Sequence, residues 1–224
     1  MSGDGSAYRL AVVGAGRVRG QVAVAACPGR VGKMPLPSHS RWCLQRDVTT
    51  LRHWGAEALV TLLEKSELLS MRLGELPALL AAQGVAWHHV PLPEDSIPDM
   101  RFEAVWQPVS RYLRGVLWRG GRVALHCADG RSRAPLVTAK LLIELGCPLR
   151  DALNRVRSAR PGVLLRAEEV EFLLTQGPGD AYVVPGVVPG VVRGAAPMPV
   201  SAADDGGQFA LIHNPNQLEL LRAS

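Results

Sequence analysis

Apolar residues along this chain gather in short runs that alternate with longer stretches of helical period. Tyr8 to Val13, Gln21 to Ala26, Ala58 to Leu63, Val85 to Leu92 and Gly121 to Leu125 are of strand length and rich in Val, Leu and Ala. Such short apolar-rich runs predict strands, of which Ala58 to Leu63 and Gly121 to Leu125 read as buried. Arg101 to Arg119 instead places Phe102, Val105, Trp106, Val109, Leu113 and Val116 on one stripe, with Gly120 as stop, which predicts an amphipathic helix. Further helices are predicted from Asp47, as N-cap, through Trp54 to a stop at Gly55, and over Leu76 to Gln83 before Gly84. Three more are predicted over Pro135 to Leu145 before Gly146, Leu149 to Arg160, and Ala167 to Thr175. Strands alternating with helices predict an α/β fold, with a central, mostly parallel sheet flanked by helices on both faces.

Two stretches depart from the alternation. Gly14, Gly16 and Gly20 invite comparison with a dinucleotide-binding fingerprint, which needs a helix directly after its glycines. Here Gln21 to Ala26 is β-like and runs into a Cys27-Pro28-Gly29 turn, so a hairpin is the better reading. After Thr175, Gly177-Pro178-Gly179 opens a segment that includes an elastin-like repeat from Val184 to Val192. Proline and glycine at that density break helices and central strands. The expected organisation is one domain over residues 1–176 and a Pro/Gly/Val-rich flexible tail over 177–224, in which Leu218 to Leu221 offers a short helical segment.

At 47% hydrophobic residues, the 224-residue chain can bury a proper core. Its net charge of +5 favours anionic partners, but no basic run is interleaved with aromatics and no zinc-finger spacing occurs, so nucleic acid is not expected. The four cysteines (Cys27, Cys43, Cys127, Cys147) form no C-x-x-C pair, which argues against a structural metal. His88 and His89 alternate across a strand and cannot both face one ion. Neither a secretory leader nor an apolar run of about 18 residues is visible, so the expected location is cytoplasmic, away from membranes.

One stretch carries chemistry. His126-Cys127-Ala128-Asp129-Gly130-Arg131-Ser132-Arg133 lies between the predicted strand ending at Leu125 and the predicted helix opening at Pro135. A loop that opens onto a helix N-terminus presents unpaired N–H groups and the positive end of the macrodipole to an anion. Such a field favours a thiolate, the nucleophilic form of cysteine. With Cys127 at its start and Arg133 at its end, the loop is suited to binding and attacking a tetrahedral oxyanion. Arg133 offers a planar fork to two oxygens, a task Lys cannot copy. Backbone N–H groups of Ala128, Asp129, Gly130, Arg131, Ser132 and Arg133 are expected to hold the remaining oxygens. His126 is expected to orient the loop and support the thiolate. Asp129 is expected to bond to the loop or to arginine and to point away from phosphate.

The Cys–x5–Arg spacing, with His ahead and Gly three residues after the Cys, resembles the signature loop of the cysteine-dependent protein phosphatases. Its His-Cys…Gly-x-Ser-Arg-x-Pro form resembles the dual-specificity branch. Cys27-Pro28-Gly29, the Trp54-Gly55-Ala56 helix end, His88-His89, Pro91-x-Pro93…Pro98-Asp99 and the Val156-Arg157-x-x-Arg160-Pro161 segment narrow this to a resemblance to the kinase-associated phosphatase group (cyclin-dependent kinase inhibitor type) and its bacterial relatives, over residues 20 to 176. The resemblance implies the cysteine-phosphatase type of three-layer sandwich, a cysteinyl-phosphate intermediate and no cofactor. The leaving oxygen then calls for a proton donor on a facing loop. Glu94 and Asp95, directly after the predicted strand ending at Leu92, are the candidates, and the family's acid falls on Glu94. Ala134 replaces the hydroxyl residue often found after the Arg, and Glu169 falls where relatives often carry a water-positioning Gln. Arg157 and Arg160 match a recurring segment of the family and are expected to support the site from outside its direct contacts or to balance charge.

The expected activity is metal-free hydrolysis of a phosphate monoester, the partner being a phosphorylated protein or a small phosphomonoester and the chain a monomer. The alternative is a catalytically weak phosphate-binding module that recruits phosphorylated partners. A sulfur- or arsenate-handling enzyme is a third reading, for which Cys147 is the candidate resolving thiol.

Overall fold

The computed structural model describes residues 8–16, 18–30, 41–163 and 165–179. The chain divides into two compact units, Met1–Tyr182 and Val183–Ser224, and the second lies wholly outside the described residues. So does the expected tail, apart from Gly177 to Gly179.

The described elements run β1 (Ala11–Gly14), β2 (Gln21–Ala25), α1 (Arg41–Trp54), β3 (Ala56–Thr61), α2 (Lys65–Ser70), α3 (Leu76–Ala82), β4 (Ala86–His89), α4 (Met100–Trp118), β5 (Arg122–His126), α5 (Arg133–Glu144), α6 (Leu149–Ala159) and α7 (Ala167–Leu174). Their five-stranded sheet has the order β1-β2-β5-β3-β4. All its pairs are parallel except the β1–β2 hairpin. That hairpin is where Gly16 sits at φ 77, so the glycines make a turn and no nucleotide fingerprint.

Side-chain alternation on the strands builds two cores. Val22, Val24, Val60, Val123 and Leu125 pack with Trp106 and Leu113 of α4, Leu136 and Leu142 of α5, Val156 of α6 and Leu173 of α7. Ala23, Leu59 and Ala124 face the other way, onto Leu44, Val48 and Leu51 of α1, Leu68 of α2, and Leu76 and Leu80 of α3. Helices therefore cover both faces, and the central strands β2, β3 and β5 are buried except for Gln21, Glu57 and Arg122 near their starts.

A polar layer fixes α5 against α4. Lys140, only 2% exposed, places Nζ 2.9 Å from Glu103, 3.1 Å from Glu144 and 2.6 Å from the Gln176 amide oxygen. Glu144 also accepts from Trp106 Nε1 (2.8 Å) and Ser110 Oγ, while its backbone carbonyl accepts the Gly179 N–H (3.0 Å). A buried charge is tolerated only when paired and hydrogen-bonded, and here the ammonium is paired with two carboxylates and donates to the Gln176 amide oxygen.

Three expectations change. Asp47 is no N-cap: α1 starts upstream at Arg41, and the Asp47 carboxylate, 1% exposed, instead accepts the Gly29 N–H (2.8 Å) and braces the turn after β2. Helix α2 replaces a stretch given no element, and Glu67 in its first turn reaches back to the Glu64 N–H (2.8 Å) in a capping-box arrangement. Val105 leaves the apolar stripe of α4 and is 39% exposed, because the buried face is carried by Phe102, Trp106, Leu113 and Val116.

Candidate active site

Strands β2, β5 and β3 run parallel and end at the same edge of the sheet, where ligands of open α/β folds bind. Cys127 follows the last residue of β5, and Arg133 is the first residue of α5. The loop between them is drawn tight against β2. Gly130 sits at φ 72, and a Cβ there would lie 2.6 Å from the Ala25 carbonyl oxygen, so only glycine fits.

The loop is held from outside by its carbonyls. Ala128 O accepts from Cys27 N (3.2 Å) and Arg30 Nη1 (3.1 Å), and Asp129 O accepts from Arg160 Nη2 (2.6 Å). A trans peptide points its C=O and the next N–H in opposite directions. Anchoring these two carbonyls therefore turns the Asp129 and Gly130 N–H groups inward. The Gly130 N–H reaches Cys127 Sγ at 3.2 Å. The sulfur itself is 0% exposed at the floor of the loop. Of the two arginines expected to support the site, Arg160 clamps the loop through the Asp129 carbonyl, while Arg157 is exposed on α6.

Arg133 is 2% exposed and gripped by a residue that the sequence reading did not single out. Glu67 accepts from Nη1 and Nη2 at 2.7 Å each, and Leu92 O accepts from Nη1 at 3.0 Å. Among the described residues, the buried Nε has no partner. Burial opposes the charge on Arg133, but the bonds and charge of Glu67 outweigh it and raise the guanidinium further. Burial likewise works against the Glu67 carboxylate, yet Arg133 and the Glu64 N–H hold its pKa below the usual range. The only signal for Glu67 in the sequence was its position three residues after Glu64, a helix-start spacing.

His126 does not touch the sulfur. Its Nε2 lies 2.7 Å from Thr61 Oγ1, which also accepts from Trp87 Nε1 (2.9 Å), and its Nδ1 lies 3.4 Å from the Cys127 carbonyl oxygen. One proton assignment satisfies all three contacts: Trp87 donates to Thr61, Thr61 donates to Nε2, and Nδ1–H donates to Cys127 O. Burial pulls the imidazole down to about 3, so the ring is neutral. His126 thus braces the backbone of the loop, and the expected direct support of the thiolate is replaced by this carbonyl contact.

Asp129 meets its expected bonding to the loop but not its expected direction. Its Oδ1 accepts the Arg131 N–H (2.9 Å), a local i to i+2 bond of the kind Asp favours. The same oxygen accepts from Cys127 Sγ at 3.9 Å, so the carboxylate turns toward the sulfur rather than away from it. Arg131 is exposed at the rim, and Ser132 occupies the N-cap position of α5 without a side-chain capping bond.

Of the two candidate acids, both exposed, Glu94 is the one whose charge acts on Arg133. Asp95 contributes its backbone: it takes φ 59, and its carbonyl accepts from Arg166 Nη2 (2.8 Å), pinning the loop to α7. Glu169 is 3% exposed and committed to the same helix end, accepting the Arg166 N–H at 2.8 Å. Ala134 is fully buried in the first turn of α5. Cys147 lies beyond the far end of α5 and packs on Gly16, which leaves the arsenate reading without its resolving thiol. Cys27 is closer, but burial and the neighbouring Cys127 push its thiol pKa up and keep it protonated. His88 packs on Tyr112 and His89 on Trp87, and no group of three or more His, Cys, Asp or Glu able to hold a metal occurs among the described residues. No helix among them is long and apolar enough to cross a membrane.

Comparison with known proteins gives a consistent picture. The family described as Cyclin-dependent kinase inhibitor 3 (CDKN3) matches residues 10–152, a span that contains the whole loop. Cyclin-dependent kinase inhibitor 3 of Rattus norvegicus is 27% identical over 133 residues, covering 58% of this chain and 61% of the relative. Dual specificity phosphatase 28 of Homo sapiens is 36% identical over 81 residues, 36% of this chain and 45% of that protein. The chain thus spans 61% of the length of the first curated relatives it matches. Among solved structures, kinase associated phosphatase with its catalytic site cysteine changed to serine superimposes with a TM-score of 0.63 at 21% identity, covering 76% of this chain and 94% of the other. That likeness concerns the fold.

Proposed function

The chain belongs to the cyclin-dependent kinase inhibitor 3 family, and on that premise we propose that it hydrolyses phosphate monoesters through a cysteinyl-phosphate intermediate. The observation that carries this reading is the state of Arg133. Glu67 and Leu92 take three of its five N–H groups, and the buried Nε–H, together with one Nη2–H, is left for ligand oxygens. A buried N–H without an acceptor is costly, and an oxyanion held over Cys127 supplies one.

In the first step the Cys127 thiolate attacks phosphorus, the P–S bond forms, the ester P–O bond breaks, and a protonated Glu94 gives its proton to the leaving oxygen. In the second, Glu94 takes a proton from water as that water attacks phosphorus; the P–S bond breaks and inorganic phosphate leaves. Inward N–H groups of the loop and Arg133 stabilise the equatorial oxygens in both steps. The substrate is a phosphorylated protein or a small phosphomonoester. Free-thiol chemistry calls for a reducing compartment, which supports a cytoplasmic location.

Two features favour the second reading, phosphate binding with little turnover. Ala134 offers no hydroxyl near the sulfur, and the Glu169 carboxylate is occupied by Arg166. Hydrolysis of an aryl phosphate by the parent chain, Cys127→Ser, Glu94→Gln and Asp95→Asn separates the two. The proposal expects no turnover from Cys127→Ser, a loss of about 10²–10⁴-fold from Glu94→Gln, a mild effect from Asp95→Asn, and acid-trapped phosphocysteine at Cys127 in the parent. Phosphate binding by a parent that shows no burst of product supports the binding module instead.

A further inference from the structure

We propose that Asp129 is a built-in competitor for the phosphate group, its carboxylate occupying the Arg131 N–H and standing over the sulfur so that an entering oxyanion must displace it. The inference rests on the phosphatase reading of the loop and adds a determinant of its affinity. One oxygen makes both contacts: Asp129 Oδ1 accepts the Arg131 N–H at 2.9 Å and lies 3.9 Å from Cys127 Sγ. In an attacking geometry phosphorus sits about 3–3.5 Å from the nucleophile. A phosphate oxygen bonded to the same N–H would therefore fall in the space this carboxylate oxygen fills, and two anionic groups cannot share it.

The backbone around Asp129 does not need to move for the exchange. Arg160 holds the Asp129 carbonyl and Arg30 holds the Ala128 carbonyl from outside the loop. The side chain is only half-buried, so it can turn toward solvent about its own χ angles while the loop keeps its shape. A ligand must then bring enough negative charge to outcompete a carboxylate, which selects dianionic phosphomonoesters over singly charged esters.

A purely structural role for the same hydrogen bond, as a turn-stabilising contact, predicts the opposite sign. Removing it would loosen the loop and weaken phosphate binding. The test measures inorganic phosphate binding by calorimetry and aryl phosphate KM and kcat for the parent, Asp129→Ala and Asp129→Asn, with thermal melting to check folding. We expect Asp129→Ala to bind phosphate and lower KM by about tenfold, the effect of removing one competing charge-assisted bond. Asp129→Asn, which keeps an acceptor for Arg131 but not the charge, should fall between. Asp129→Ala that gains phosphate binding absent from the parent supports the competitor in its strongest form. A folded Asp129→Ala with unchanged or weaker phosphate binding, beside a parent that binds and turns over, overturns this inference and leaves the phosphatase reading standing. No phosphate binding by either chain overturns it too, and if aryl phosphate also goes unhydrolysed the phosphatase reading falls with it.

Discussion

Glu67 holds Arg133 at both ends of its guanidinium, 2.7 Å from each terminal nitrogen, although 66 residues separate the two in the chain. The pair is 3% and 19% exposed at its side chains, so it sits largely out of water and sets where Nε points. Breaking such a pair from one side leaves an uncompensated buried charge. Glu67→Gln should cost about 3 kcal/mol of stability by urea unfolding. It should also lower kcat/KM by roughly 10²-fold through misplacement of Arg133. A variant with parental kcat/KM would remove Glu67 from the positioning of the site.

The same carboxylate gives an acid-sensitive term. Its folded pKa is lowered below the ordinary 4.5, so the unfolded chain binds this proton more readily than the folded one. The contribution is full above the unfolded value and is lost as pH falls through the lowered folded value. Urea titrations from pH 6 to pH 3 should show this loss in the parent, and Glu67→Gln should lack it.

His126 acts over a higher window. Its ordinary value is 6.5 and burial brings it to about 3, so on acidification the unfolded chain protonates first. Its contribution is complete above 6.5 and declines as pH drops toward 3. NMR of the imidazole should show a neutral Nδ1–H ring with no titration between pH 8 and pH 5, and a midpoint near 6.5 in the folded protein would contradict the buried arrangement. Thr61→Val, which strands His126 Nε2 and Trp87 Nε1, should cost about 1–3 kcal/mol.

Gly130→Ala forces a Cβ to within 2.6 Å of the Ala25 carbonyl oxygen at a φ of 72. The left-handed backbone alone costs about 1–2 kcal/mol, and the clash adds to it by pushing the loop off β2. Loss of phosphate binding in calorimetry and a lowered melting temperature are expected together.

Ala134→Ser supplies a hydroxyl in the first turn of α5. If departure of the thiolate limits the second step, kcat should rise by about tenfold, one hydrogen bond's contribution to a barrier, with KM little changed. Rapid-quench kinetics should show phosphocysteine draining faster.

The legibility of the site follows the distance over which each feature acts. The hairpin at Gly16, the five strands and the run of α4 were readable because burial on one or both faces leaves a period in the residues themselves. Helix α2 went unread because only Leu68 of its residues is buried, and six residues carry too little of a stripe. Asp47 was misread for a related reason. Its affinity for a backbone N–H was recognised, but the N–H it serves belongs to Gly29, 18 residues away, and not to its own helix.

Residue order alone defines the Cys127–Arg133 unit. Thiol, glycine and guanidinium are spaced by covalent bonds, and a strand before with a helix after leaves that spacing one way to curl. What only the tertiary structure decided is everything that aims the unit: Glu67 on Arg133, Thr61 and Trp87 behind His126, Arg30 and Arg160 on the loop carbonyls, and the Asp129 carboxylate over the sulfur. Most of these partners come from separate strands and helices that the parallel crossovers bring to one sheet edge. Asp129 lies in the loop itself, yet its orientation follows from the clamps on the backbone. A hydrogen bond depends on position to within tenths of an ångström, and residue order along a chain fixes no such position until the layers have packed.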